Sequence, residues 1–301
     1  MFSFFLLFPT QTFEASKVGL LLWFDTLLPT LLPFLILSQT ILKTSLADYL
    51  QKFIGPIFRR LFHCSKEGSF CLLCGFLCGY PVGARLIALS VKEHRLNLSE
   101  GQYLLSFCNH VSPMFCVSYG IMYGIGSSQL LPYLLIIYGS AILLGLLTRP
   151  SHLPEPNLRE KKQTPSVETI FQLIDVCIID SFYILIKLCG YLILFSILNK
   201  ILFMILPGHT PAITAGLASL LEITNGLTYV HSLSPGILRS VIGVTAISFG
   251  GLCCVFQTNS VISDTSLSLR KYLYSKGLHA LLALFLYFLW CFFSFTINSW
   301  R

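Results

Sequence analysis

Long apolar runs limit this chain more than any other feature. Continuous hydrophobic stretches, bounded by charges, prolines or glycines, lie near 17–42, 99–125, 130–148, 181–206, 237–262 and 277–297. A helix crosses the hydrocarbon core of a bilayer with about 20 apolar residues, so each run has the length of a span. Two further apolar stretches, near 68–90 and 211–233, carry Gly, Pro, Thr, Asn or Glu at their middles and read as re-entrant hairpins. Composition agrees, since 54% of the residues are hydrophobic, 11% are charged and the mean hydropathy is +0.75. Soluble domains carry about 25% charged residues, and this chain could not hide so much apolar surface from water. The fold class expected is all-α integral membrane, with polytopic helices.

The formal charge of +7 marks topology and not nucleic acid. Basic residues gather in short tracts between apolar runs, and the cytoplasmic side of a membrane retains such tracts. Lys43, Lys52, Arg59, Arg60 and Lys66 form one, Lys92 and Arg95 the next, Arg149, Arg159, Lys161 and Lys162 a third, and Arg270, Lys271 and Lys276 a fourth. The turns 124–130, 207–211 and 231–236 hold no Lys, Arg, Asp or Glu and are expected outside. The first hairpin then enters from the cytoplasm and the second from the exterior, so the halves form an inverted repeat. Laying Tyr80 on Glu222 also puts Gly83 on Asn225 and Ser106-Phe107 on Ser248-Phe249. Inverted repeats with broken helices recur in transporters.

Three parts follow: residues 1–148 as a first membrane half, 149–180 as a cytoplasmic loop with an interfacial helix over 166–180, and 181–301 as a second half. Met1 to Phe8 is apolar but short, is interrupted at Pro9, and lacks the basic start and cleavage site of a signal peptide. It reads as the tail of a first helix.

Eleven cysteines lie mostly inside apolar runs, where thiols act as small hydrophobes. Cys71, Cys74 and Cys78, with His63 and Cys64 upstream, lack a second ligand pair at zinc-site spacing, so no metal is expected. There is no phosphate-binding Gly-rich loop ending in Lys-Ser/Thr, no His-Glu-x-x-His and no Gly-x-Ser-x-Gly. These absences argue against an ATP-driven pump. Neither catalysis nor a cofactor is expected.

The candidate binding residues sit where the apolar pattern breaks. Gly79, Tyr80, Pro81, Gly83 and Arg85 form the first hairpin core, whose freed N–H groups would face a ligand or whose glycines would let two helices cross closely. Asn109 and Ser112, with His110 and Pro113, interrupt the next run, either as a ligand-facing break or as a proline kink. In the second hairpin, Glu222, Thr224 and Asn225 place a carboxyl among apolar residues, to bind a cation, exchange a proton or pair with Arg85. Gly250 and Gly251 open a break in the following run, and Gln257 to Ser260 add a polar path. Asp25, ahead of Pro29 and Pro33, reads as satisfying backbone near a kink.

Gly79-Tyr80-Pro81-x-Gly83-Ala84-Arg85, Asn109 to Phe115, Leu221-Glu222-x-Thr224-Asn225-Gly226 and Ser248-Phe249-Gly250-Gly251-Leu252, together with Phe8-Pro9, Ala15-Ser16, Gly19-Leu20, Trp23 and the Pro29/Pro33 helix, resemble the YlbJ family of sporulation integral membrane proteins, also called stage V sporulation protein V. That resemblance implies kinship with nucleoside-recognition Gate proteins and with concentrative nucleoside transporters, whose paired hairpins and broken helices hold the solute. It also implies movement of dipicolinic acid toward the developing spore, across the outer forespore membrane. The expected partners are a small anionic solute with dipicolinate as candidate, membrane lipid, and a coupling cation or proton. A nucleoside carrier of the same fold and a non-transporting scaffold for spore-envelope assembly are the alternatives. The residues do not set the oligomeric state.

Overall fold

The computed structural model describes residues 2–44, 46–151, 167–205 and 210–299. The tract Arg159, Lys161 and Lys162, and most of the turn 207–211, lie outside the described residues. Among those described, every element is helical.

The first run begins with α1 (Phe2–Leu7) and α2 (Pro9–Leu22), then passes through a π-helical turn over Trp23–Leu27 into α3 (Leu28–Lys43). Proline has no N–H to give, so Pro29 leaves the carbonyl of Asp25 without its helical donor, and the helix widens at that point. Asp25 is exposed on this turn. α4 (Leu46–Phe62) corrects the reading of its basic tract as a loop. Apolar residues at 46, 50, 53, 54, 57, 58, 61 and 62 repeat with helical period, while Lys52, Arg59 and Arg60 are exposed.

α5 (Lys66–Cys78) and α6 (Val82–Lys92) pack as a pair around the turn Gly79-Tyr80-Pro81, whose Tyr80-Pro81 peptide is cis. α7 (Leu98–Cys108) stops short of Asn109, and the single turn α8 (Pro113–Phe115) leads into a π-helical stretch over Cys116–Ile125. Pro113 is therefore not a kink inside a helix. It starts a new one, where its missing N–H is no loss, and Ser112 caps it by accepting from the Phe115 N–H at 3.3 Å. α9 (Leu130–Leu147) closes the first set. α10 (Val167–Ile205) is unbroken, so the expected interfacial helix over 166–180 is the first part of a longer one. α11 (Pro211–Leu221) and α12 (Ile223–His231) form a second pair, α13 (Ile237–Phe249) and α14 (Gly251–Ile262) a second broken helix, and α15 (Leu269–Ser299) ends the chain. The order of long helix, helix pair, broken helix and long helix thus occurs twice, with α4 as the addition in the first set.

Among the described residues, four segments are long and apolar enough to cross a membrane: Leu130–Leu147, Ile170–Ile205, Ile237–Ile262 and Leu269–Ser294. Lipid-facing surface is plentiful, as Leu131, Ile186, Leu281 and Phe285 are all more than half exposed. The protein is a multi-pass integral membrane protein. The opening elements of its two sets lean on each other through close contacts. α2 packs along α10, with Gly19 so near the Ile193 backbone that a Cβ would fall 2.8 Å from its Cα. Trp23 donates to the Leu185 carbonyl at 2.8 Å, and Gln39 to Ser181 at 3.2 Å.

The loops sort by charge. At one end Glu100 accepts from the Ser65 N–H at 2.5 Å, Arg95 pairs with Glu67 at 3.0 Å, the Ser268 N–H donates to Gln102 at 2.6 Å, and Arg149 donates to the Leu61 carbonyl at 3.3 Å. These are the basic tracts, brought together. At the other end Arg239 donates to the carbonyls of Gly124, Tyr123 and Leu233, and His231 stacks on Tyr123 with ring centroids 4.5 Å apart. These are the charge-free turns. Single cysteines replacing the exposed His94 and Ser234 should therefore react with an impermeant maleimide from opposite sides of the membrane, against little background because nine of the eleven native thiols are buried and free. Labelling of both from one side would refute this arrangement.

Candidate binding centre

Each helix-pair turn rests on the break of the helix that follows it. Gly79 has φ +76, and a Cβ there would collide with the backbone of Ser112. In the second set, Gly250 and Gly251 have φ of +87 and +78, the left-handed region that glycine enters without strain. Gly251 lies against the tip of the second pair, where an added Cβ would sit 3.1 Å from the Ser219 carbonyl oxygen and 3.3 Å from the Glu222 Cα.

Tyr80 joins the sets. Its hydroxyl occupies the space a side chain at Gly250 would take, so the tip of the first pair presses on the break of the second. Around this contact one buried cluster includes Tyr80, Val111, Cys116, Ile223, Ile247 and Cys254, drawn from both tips and both breaks, with Ala283 and Tyr287 of α15.

Glu222 does something narrower than the sequence allowed. It is 2% exposed and caps α12, its two oxygens accepting from the Thr224 N–H at 2.9 Å and the Asn225 N–H at 2.8 Å. Two of the amides a helix leaves unsatisfied at its start are thereby paired. No ion pair joins Glu222 to Arg85, whose Nε has no partner. Gly83 follows the helix-crossing alternative: a Cβ there would sit 2.9 Å from the Gly75 Cα, so it is the small residue of a close helix crossing. Gly226 does the same against the backbone of Ser219 in the second pair. Pro81 is the residue before α6, and Thr224 is buried in the first turn of α12. Asn225 turns to α10, donating to Ser196 at 3.2 Å.

Residues 24–141 match the family model described as Gate, nucleoside recognition. This stretch of the chain is similar to Gate proteins. Its match spans the first pair, the first break and most of α9, while the second pair, second break and α15 lie beyond it. Across 94% of its length the chain is 27% identical to the sporulation integral membrane protein YlbJ of Bacillus subtilis (strain 168), covering 78% of that protein. The resemblance read from the residues is borne out over nearly the whole chain. No solved structure matches.

Beside the tip of the first pair lies a set of polar residues that the sequence reading did not assemble. Asn109 donates to Thr258 at 2.9 Å and to Tyr272 at 3.0 Å, tying the first break to α14 and α15. One turn further along α15, Lys276 is 1% exposed, with its ammonium 5.2 Å from the centre of the Tyr80 ring and 3.4 Å from His279 Nδ1. His279 Nε2 lies 3.0 Å from the Ile137 carbonyl, and that carbonyl can only accept, so Nε2 carries the proton and Nδ1 accepts from Lys276. His110 is packed edge-on between Phe76 and Tyr138, 6.4 Å from His279 between ring centroids. Its Nδ1 donates to the Val111 carbonyl at 2.9 Å, which leaves Nε2 an acceptor without a partner. Tyr80 Oη, Asn109 Oδ1, Ser219 Oγ and Ser248 Oγ are likewise buried and unpartnered.

Lys276 is thereby moved from the cytoplasmic tract in which it was read to the interior of α15. The signal in the sequence was the spacing Tyr272, Lys276, His279, four and then three apart, which puts all three on one helix face. The cavity of about 430 Å³ lies elsewhere, at the basic end among Val91, His94, Leu96 and Asp264 to Ser266. The tips share a packed cluster and not that opening.

Glu222→Ala removes both acceptors of the α12 cap and should lower stability by about 1–2 kcal/mol, whereas Glu222→Gln keeps one oxygen and should lose less. Thermal unfolding of the detergent-purified variants reads the order. Equal stability of the Ala variant and the parent would remove Glu222 from the cap.

Proposed function

We propose that the chain is a secondary transporter or facilitator that binds a small anionic solute where the two sets of elements meet. The contact of Tyr80 with Gly250 carries the reading, because it brings a tip of one set onto the break of the other inside the protein. Unsatisfied polar groups cost about 1–3 kcal/mol each when buried. A centre that retains several of them, contributed by both sets, is suited to a polar ligand and poorly suited to a scaffold. The repeated order of elements, with basic loops at one end and charge-free turns at the other, supports an inverted repeat with two re-entrant hairpins. Alternating access by rocking one repeat against the other is the usual use of that plan.

Dipicolinate is the leading substrate, carried over from the resemblance to sporulation membrane proteins, with the outer forespore membrane as the place of action. A nucleoside is the second reading, favoured by the description of the Gate family that residues 24–141 match. Purified protein in proteoliposomes should take up labelled dipicolinate saturably and faster than empty vesicles. Uptake of uridine without dipicolinate would favour the second reading, and uptake of neither would leave the scaffold. Asn109→Ala severs the link from the first break to Thr258 and Tyr272 and should cut the rate about tenfold, the equivalent of about 1.4 kcal/mol. An unchanged rate would take Asn109 out of the centre.

A further inference from the structure

We infer that Lys276 is the charge that holds the solute, and that the site accepts small organic acids bearing one negative charge and at least one hydrogen-bond donor. The inference rests on the transport reading above and adds to it a recognition residue and a chemical class.

Lysine is almost never fully buried unless it is paired. Lys276 is 1% exposed two turns into a span, and among the described residues no carboxylate lies within ion-pair distance of it. The buried Glu222 spends both oxygens on the α12 amides. An ammonium in that position is a standing electrostatic cost that no described carboxylate removes, and an intramembrane charge of this kind marks a substrate path. An anion entering beside it would supply the missing counter-charge. One lysine neutralises one negative charge, which sets the charge of the ligand.

The neighbouring groups set the rest. Lys276 has three N–H donors and gives one to His279 Nδ1, so two remain. The hydroxyls of Tyr80 and Ser248 are unpartnered and each can donate. His110 Nε2 is an unpartnered acceptor, fixed as such by the hydrogen bond of its Nδ1 to Val111. A carboxylate satisfies the donors. A second group on the same molecule that carries a proton, such as a hydroxyl, a ring N–H or an un-ionised carboxyl, satisfies His110. Aromatic walls at Tyr80, Phe76 and Tyr138 favour a planar ring between the two. Arg85, the cation expected from the sequence to meet a carboxylate, is not required.

The test uses full-length protein in detergent and compares the parent with Lys276→Met and Lys276→Gln. Both replacements remove the unpaired buried charge, so both should melt at or above the parent temperature. Both should also bind 4-hydroxybenzoate, which carries one carboxylate and one O–H donor at neutral pH, about 10- to 150-fold more weakly, the span of a hydrogen bond to a charged group. Benzoate, an acid without a donor, should bind the parent more weakly than 4-hydroxybenzoate, and uridine should be indifferent to either substitution. The inference is overturned if both variants melt well below the parent, which would make Lys276 structural, or if they melt normally and bind 4-hydroxybenzoate as the parent does. A parent that binds uridine but neither acid would instead sink the anion reading of the function, and the role of Lys276 with it.

Discussion

Backbone that leaves the helix inside a bilayer has no water to bond to, and every freed amide or carbonyl must be answered by the protein. This chain leaves the helix four times in its interior: at Gly79-Tyr80-Pro81, at Asn109 to Ser112, at Glu222, and at Gly250-Gly251. The four breaks solve the problem by meeting each other. Gly79 lies on Ser112, Gly251 lies on the Glu222 tip, and Tyr80 reaches Gly250. Glu222 answers the first amides of α12, and Ser112 those of α8. Displacing one break would expose the polar backbone of its neighbours, so the four form one structural unit.

Several polar groups that the folding of this unit does not use lie at these breaks. Breaks justify their own caps, but they do not justify an unpaired lysine, a histidine with a free acceptor and two free hydroxyls. Replacing a buried unpaired charge with an apolar side chain of similar volume relieves desolvation, so stability alone would favour Met at position 276. The lysine's share of that cost falls on the face of α15 that meets the first tip, while Leu281 and Phe285 of the same helix are exposed. Cost and location together give the centre its functional character.

Much of this plan was legible because Gly and Pro act locally. The tip at Gly79 to Pro81 and the break at Gly250-Gly251 were found from residues that disfavour helix wherever they occur. What a given glycine is for was not legible. Gly83 and Gly79 look alike in a sequence, yet one permits two helices to cross and the other adopts a left-handed turn, and only packing separates these. Glu222 posed a similar problem, since a carboxyl at a helix start can face a ligand or its own backbone, and the choice depends on the backbone conformation of that single residue. Lys276 was misplaced because Arg270 and Lys271 stand just before it. A cluster rule gathers all three into a loop, whereas the helix begins at Leu269 and carries Lys276 two turns inward. α4 was missed for the same reason, its basic face outweighing its helical apolar period.

The two ends of the molecule explain why the centre lies where it does. The basic end is tied by buried carboxylates, Glu67 to Arg95 and Glu100 to the Ser65 amide, and these bonds fix both feet of the first helix pair. The charge-free end is tied by Arg239, which gathers three carbonyls from the turns on either side of it and so fixes the outer foot of the second pair. Arg95, Glu100 and Arg239 therefore tie the feet of the two pairs to neighbouring elements. Their tips are the parts farthest from either anchor, and they meet in the interior, where small glycine contacts and few hydrogen bonds hold them. A ligand bound at the tips would therefore touch the parts of both pairs that packing holds, away from these charged anchors.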